Sequence, residues 1–260
     1  MLKFEKKLPI GLQIYSVRDY ASKDLEGTLK LVKEMGYDYV EPEWLYGKTA
    51  EEYKAILDRC GLCATCLHVT YAELIADTQK VIDDCKTLGV RYAAIPYLLE
   101  DDRPLGKNYG DVLVNIERCG KLFAENGIKL LYHNHDFEFV RMPDGRYGFD
   151  HMYDTVSREY LASEMDTCWV NVGGVDPVAY LKKYAGRTPV VHLKDFSGSK
   201  AAGDFEFRPV GYGIQDIPSI ITAAIENGAE YLVVEQDAWG DQTSLEAVKM
   251  SRDYLKTLGF

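Results

Sequence analysis

The sequence predicts a single-domain (β/α)8 barrel spanning residues 1–260, and three observations carry that prediction. Strand-like and helix-like segments alternate from end to end, which implies a parallel sheet covered by helices. Eight such units fit a chain of 260 residues, the usual size of a closed barrel. No Gly-rich dinucleotide fingerprint follows the first strand, which argues against an open doubly wound sheet.

The units read in order as follows. Ile10 to Tyr15 is the first strand; Leu25, Leu29, Val32 and Met35 then mark one helix face, stopped by Gly36. Tyr39 to Glu41 is the second strand, followed by a helix from Ala50 to Cys60 that ends at Gly61. Leu62 to Val69 is the third strand. Leu74, Thr78, Val81, Ile82, Cys85 and Leu88 carry helical spacing, closed by Gly89. Tyr92 to Ile95 is the fourth strand, Val112 to Asn126 its helix with Gly127 beyond, and Ile128 to His133 the fifth strand. A short helix from His151 to Ser157 precedes the sixth strand, Leu161 to Met165. The helix from Pro177 to Tyr184 begins with Asp176 as N-cap and proline at the first helical position. Pro189 to Leu193 is the seventh strand, and Asp216 to Glu226 repeats the same capping logic before Gly228. Tyr231 to Glu235 is the eighth strand, and Leu245 to Leu258 closes the chain as a helix.

Composition removes several classes of function. The formal net charge of −11 and the absence of a basic run oppose nucleic-acid binding, which is driven by phosphate neutralisation. The first fifteen residues lack the apolar core of a signal peptide, and no apolar stretch approaches the length of a membrane span, so a cytoplasmic protein without a membrane partner is expected. The six cysteines fit that compartment as free thiols. Cys60, Cys63 and Cys66 form a CxxCxxC run, but a helix end followed by a strand would splay the three side chains, so they are read as structural.

In a barrel of this kind the active site lies at the C-terminal ends of the strands. Here those ends are Glu41, His68, the run from His133 to Glu138, Asp166, then His192 with Lys194 and Asp195, and Glu235 followed by Asp237. Each alone has a structural reading, as a helix cap, a surface charge or a hydrogen-bonded core residue. Asp166, His192 and Glu235 on three successive strand ends point further. Clustered carboxylates repel unless protonated or neutralised, and a divalent cation solves that problem. Carboxylate oxygen with imidazole suits Mn²⁺, Mg²⁺, Co²⁺ or Zn²⁺.

Six segments also resemble a known family: GLQIYSVRD at 11–19, YHNHDFEF at 132–139, MDTCWVNVGGVDP at 165–177, VVHLKDF at 190–196, PVGYG at 209–213 and VVEQD at 233–237. Together they are similar to the sugar phosphate isomerase/epimerase family with the xylose isomerase-like barrel. That superfamily includes D-tagatose 3-epimerases, inosose dehydratases and endonuclease IV. The resemblance implies one divalent metal held by Glu138, Asp166, His192 and Glu235. It implies Glu138 and Glu235 as the catalytic pair, acting by proton abstraction beside a carbonyl through a metal-stabilised enediolate. Glu41, His68, His133, His135, Trp169, Lys194 and Arg208 are then the substrate contacts. Two positions depart from the epimerase pattern: Trp169 stands where those enzymes carry a histidine, and Tyr212 where the turn often has glutamate.

The expected activity is isomerisation or epimerisation of a keto-sugar or related polyol. A lyase on the same scaffold, an inosose-type dehydratase or a 3-keto-glycoside eliminase, is the main alternative. An endonuclease IV-like nuclease is disfavoured by the charge and by having only five histidines, and a non-catalytic subunit would lack metal-dependent turnover. Barrels of this family often pair, so a homo-oligomer fits.

Overall fold

The computed structural model describes Phe4 and residues 6–260. The eleven strands are β1 (Ile10–Gln13), β2 (Tyr39–Glu41), β3 (Cys63–Ala64), β4 (Leu67–His68), β5 (Tyr92–Ile95), β6 (Lys129–His133), β7 (Leu161–Asp166), β8 (Val190–Leu193), β9 (Asp195–Ser197), β10 (Glu206–Arg208) and β11 (Tyr231–Val234). Nine form one parallel sheet in the order β3-β2-β1-β11-β8-β7-β6-β5-β4. β3 and β4 are the two halves of one barrel stave, interrupted at Thr65 and Cys66. The first half pairs with β2 and the second with β5, so the sheet comes round on itself as a (β/α)8 barrel. The expected unbroken strand from Leu62 to Val69 is thus corrected to two short pieces. The break moves the stave from one neighbour to the other, although His68 still donates its backbone N–H to Pro42 O.

Local chemistry accounts for the surrounding helices. Thr49, Thr70 and Thr243 each form a reciprocal capping box with the glutamate three residues on. Gly36, Gly61 and Gly89 end their helices in the left-handed conformation, as the sequence anticipates. The short helix before β7 runs Gly148–Thr155, earlier than expected, and helix Tyr109–Glu125 begins a turn earlier than its apolar spacing suggests. The helix expected to carry Leu74 through Leu88 divides at Asp77 into Tyr71–Ala76 and Thr78–Leu88, and helix Thr167–Val172 and the β9–β10 hairpin are additions to the basic pattern.

Two apolar layers follow from the alternation of side chains along each strand. Outward-facing strand residues such as Leu12, Ile95, Tyr132 and Leu193 pack against the helices in one large core. Inward-facing residues make a smaller plug of Cys66, Tyr92, Ala94, Leu131, Ala162, Val190 and Val233. The next inward positions above that plug are polar, and there the site begins. All six cysteines are free; Cys60 ends a helix, Cys63 is exposed and Cys66 belongs to the plug. No helix among the described residues is long and apolar enough to cross a membrane.

Asp195 is a strand-end acid with a structural task. Its Oδ1 accepts the N–H of Phe196 (2.9 Å) and Gln215 (3.1 Å), and its Oδ2 accepts those of Gly211 and Gly213 (3.0 Å each). The carboxylate therefore holds the PVGYG turn closed. A Cβ at Gly213 would lie 2.2 Å from Asp195 Oδ1, which is why glycine stands there. Replacing Asp195 with alanine leaves these donors without an acceptor and is expected to cost about 3 kcal/mol or more. Thermal denaturation should show a midpoint lowered by roughly 6–12 °C; an unchanged midpoint would contradict this role.

Candidate metal centre and active site

Strand register explains which side chains meet. Asp166 pairs with His192 across β7 and β8, and His133 pairs with Glu164 across β6 and β7. Because side chains repeat every second residue, Glu164 and Asp166 face the same side of β7. His133, Asp166, His192 and Glu235 each bring one potential ligand atom within 4.8 Å of the others, and all four residues are buried. His133 Nε2 lies 3.7 Å from Asp166 Oδ2 and 3.9 Å from Glu235 Oε2, and His192 Nδ1 lies 2.8 Å from Glu235 Oε2.

The remaining bonds of these residues leave those atoms available. Asp166 caps helix Thr167–Val172 through Oδ1, which accepts the Trp169 N–H at 2.9 Å, so Oδ2 is left over. Asp166 Oδ2 is buried and makes no hydrogen bond, although Lys194 Nζ stands 3.0 Å away. Asn134 fixes the backbone of Asp166 by exchanging two hydrogen bonds with it. His133 turns Nδ1 toward Glu164 Oε2 (3.1 Å), so Nε2 carries the lone pair that faces Asp166 and Glu235. Carboxylate behind imidazole is the usual way a metal-binding histidine is oriented.

Beneath the quartet lies a second polar layer that the strand ends did not reveal in full. Gln13 Oε1 accepts the Tyr15 N–H, and its Nε2 donates to Glu41 Oε2 (2.9 Å) and faces His68 Nδ1 (3.0 Å). The His68 Nδ1 therefore accepts, and Nε2–H points to Glu164 Oε2 at 2.5 Å. Glu41 Oε2 is 2.7 Å from His192 Nε2. Lys194 Nζ lies 3.0 Å from each of Asp166, Glu235 and Asp237.

The electrostatics of this cluster call for positive charge. Five carboxylates share this cluster: Asp166, Glu235 and Asp237 around Lys194, and Glu41 and Glu164 around His68 and His192. Burial, with Glu235 adding, pushes Asp166 above its ordinary pKa, and burial with Glu41 does the same to Glu164. Burial opposes charge on Lys194, yet Asp166, Asp237 and Glu235 together raise its pKa well above the lysine value. Burial also opposes charge on His68 and His192, yet Glu41 and Glu164 raise both well above the ordinary histidine value. One ammonium and two imidazoles thus face five acids, and a divalent cation on the quartet would relieve the remaining excess. The free Asp166 Oδ2 and the mixed oxygen–nitrogen donor set fit such an ion.

Glu138, expected as a ligand, lies apart from the quartet. It lies wholly buried on the turn Phe137–Phe139, where its carboxylate takes the Tyr132 hydroxyl and, at 2.7 Å, the His135 N–H. Tyr132 precedes His133 in β6 and faces the opposite side of the strand. Glu138 is therefore held behind the barrel wall, while His133 stands at the position the quartet uses. Burial pushes the Glu138 carboxyl up to about 8 from an ordinary value of 4.5. Below pH 4.5 it is protonated both folded and unfolded. Between 4.5 and about 8 only the unfolded chain ionises it, so stability is lost as pH rises through that window. Glu138→Gln should remove this loss, and its melting advantage over the parent should grow from about pH 5 to about pH 8. A difference independent of pH would contradict the burial account.

Other expected contacts divide. A cavity of about 650 Å³ opens above the quartet and is lined by His68, His133, His135, Glu235 and Asp237, with Tyr15, Glu43 and Trp44 on one side. His135 stacks on Phe137 and meets the rings of Tyr97 and Trp169, and burial lowers its pKa to about 3, so it is a neutral ring. Trp169 stands behind Lys194, with the ammonium 5.5 Å from its ring, and does not line the cavity. Arg208 lies on the β9–β10 hairpin, bonded to Ser197 and Glu206, and is likewise not brought to the cavity. Glu41 sits below the floor, and Lys194 beside it. Sequence reasoning missed Glu164, Gln13 and Glu43; Glu164 alone had a signal, its spacing of two from Asp166.

Residues 29–258 match the family described as xylose isomerase-like TIM barrel. A curated inosose dehydratase from Geobacillus kaustophilus is 22% identical over 64% of this chain, and the alignment spans 60% of that relative's own length. A sugar phosphate isomerase/epimerase from Parabacteroides distasonis superposes with a TM-score of 0.82 at 24% identity, covering 96% of this chain and 94% of that one. A xylose isomerase-like TIM barrel protein from Mycobacterium smegmatis, crystallised in complex with magnesium, gives a TM-score of 0.71 at 16% identity, covering 97% and 96% of the two chains.

Proposed function

The chain belongs to the xylose isomerase-like TIM barrel family, and from that premise we propose that it is a divalent-metal-dependent isomerase or epimerase of a keto-sugar or related polyol. The observation that supports this reading most is the buried quartet of His133, Asp166, His192 and Glu235, two of whose members, His133 and Glu235, line a cavity large enough for a small molecule. These four residues would hold the cation. When bound, it supplies Lewis-acid polarisation of a carbonyl oxygen.

The protein's own groups do the rest. Glu235 reaches the cavity and carries the charge to take a proton from a carbon beside the carbonyl. Burial disfavours that charge, but Lys194 and His192 outweigh it and hold the Glu235 carboxyl well below its ordinary value. A second proton carrier is needed to complete an epimerisation. Glu43 lines the same cavity, and burial pushes its carboxyl up to about 7, close to the value a general acid and base requires. Lys194 keeps Glu235, Asp166 and Asp237 in register.

A lyase reading is favoured by one specific observation, the similarity to inosose dehydratase. It uses the same first proton transfer and differs in a leaving group, which Glu43 would protonate. The test is incubation in D₂O with Mn²⁺, Mg²⁺, Co²⁺ or Zn²⁺ and a panel of ketoses, inososes and 3-keto-glucosides. Metal-dependent deuterium uptake beside a carbonyl supports the proposal; unchanged product mass, apart from the label, marks an isomerase, and loss of water or aglycone a lyase. A panel without exchange under any of the four metals contradicts it.

A further inference from the structure

The cavity beside the quartet has two chemical halves. Ligand cavities run from about 300 to 1,000 Å³, and this one holds about 650 Å³. The floor presents His133, Glu235 and Asp237. The outer half presents Trp44, Tyr71, Pro96, Tyr97 and Leu99. Single exposed apolar side chains are ordinary on any surface. Here three of the eight exposed large hydrophobics among the described residues, Trp44, Tyr97 and Leu99, line this one cavity at 47%, 45% and 69% exposure.

Their placement is built rather than incidental. Trp44 has φ +46°, a backbone region bulky side chains rarely enter, and functional sites are where such conformations collect. Its ring meets that of Tyr15 edge-on at 5.8 Å, and Tyr97 meets His135 at 5.2 Å. The apolar rim thus runs continuously into the polar floor. Among the described residues no lysine or arginine lines the cavity, whereas Glu43, Asp102, Glu235 and Asp237 do. The nearest cations, Arg103 on the Tyr97 ring and Arg18 on the Tyr15 ring, lie outside the lining and are held by Leu98 O and the Tyr97 hydroxyl and by Tyr15 O and Asp237 O.

From this we infer that the substrate is an uncharged sugar conjugate whose carbohydrate end meets the quartet and whose apolar, ring-bearing end packs against Trp44, Tyr97 and Leu99. The inference rests on the proposed sugar chemistry and narrows it to keto-glycosides, whose carbonyl stands on a ring carbon other than the anomeric one, rather than sugar phosphates.

The test uses calorimetric titration of the metal-loaded protein with methyl β-glucoside, phenyl β-glucoside and glucose 6-phosphate. The phenyl compound is expected to bind at least tenfold more tightly than the methyl one, and the phosphate more weakly than either. In Leu99→Ala and Trp44→Gly the phenyl advantage should fall below threefold. Equal affinity of the two glucosides, preference for the phosphate, absence of binding by all three, or an advantage unchanged in both variants would each overturn the inference. Light scattering separates the remaining explanation: variants that convert a dimer to a monomer while keeping the phenyl advantage would make the rim a self-association surface and overturn it too. Binding requires no turnover, so failure here and failure of deuterium exchange are independent results.

Discussion

Glu235→Gln is expected to fold normally and to lose turnover by a factor of about 10³ or more, the scale on which a positioned proton-transfer group contributes. The substitution keeps the shape of the side chain but removes its charge and its basicity. Glu235 reaches the cavity, while its Oε2 stands 2.8 Å from His192 Nδ1 and 3.0 Å from Lys194 Nζ. Lys194 retains Asp166 and Asp237 as partners, so the fold does not depend on this contact. Deuterium exchange into substrate measures the loss, and circular dichroism checks the fold. Exchange within tenfold of the parent would remove Glu235 from proton transfer.

The second large effect is expected from a residue that touches no substrate. Glu164 is wholly buried and holds His133 through Nδ1 at 3.1 Å, which leaves Nε2 facing Asp166 and Glu235. Glu164→Gln keeps an oxygen in place but removes the charge that orients the ring and strengthens it as a donor. Metal affinity is expected to fall about 10–100-fold, as for other carboxylates behind a metal-binding histidine. Competition with a chromogenic chelator measures this directly. Because Glu164 acts through His133, activity at saturating metal should recover most of its parental value. Unaltered affinity, or activity that saturating metal does not restore, would assign Glu164 a different task.

Much of this architecture was legible from spacing. The alternation of strands and helices, the glycine stops at 36, 61 and 89, and the proline-led helices after Asp176 and Asp216 follow from backbone chemistry that acts locally. The gathering of Asp166, His192 and Glu235 was legible too, because strand ends in a barrel converge whatever the loops do. Less was legible where tertiary placement decides. Glu138 sits in a loop, and only the fold shows that Tyr132 and the His135 N–H draw it behind the wall. Glu164 lies inside a strand, so attention to strand ends passes over it. Gln13 carries no charge to draw notice, yet it sets the tautomer of His68. Asp195 has the composition of an active-site acid, and only its four backbone donors reveal a turn anchor.

The central claim is that His133, and not Glu138, completes the metal site with Asp166, His192 and Glu235. Titrating Mn²⁺ into metal-stripped parent, His133→Ala and Glu138→Gln protein tests it most directly. The account predicts one tightly bound ion per chain in the parent and in Glu138→Gln, and loss of tight binding in His133→Ala. Tight binding that survives in His133→Ala but is lost in Glu138→Gln would contradict it.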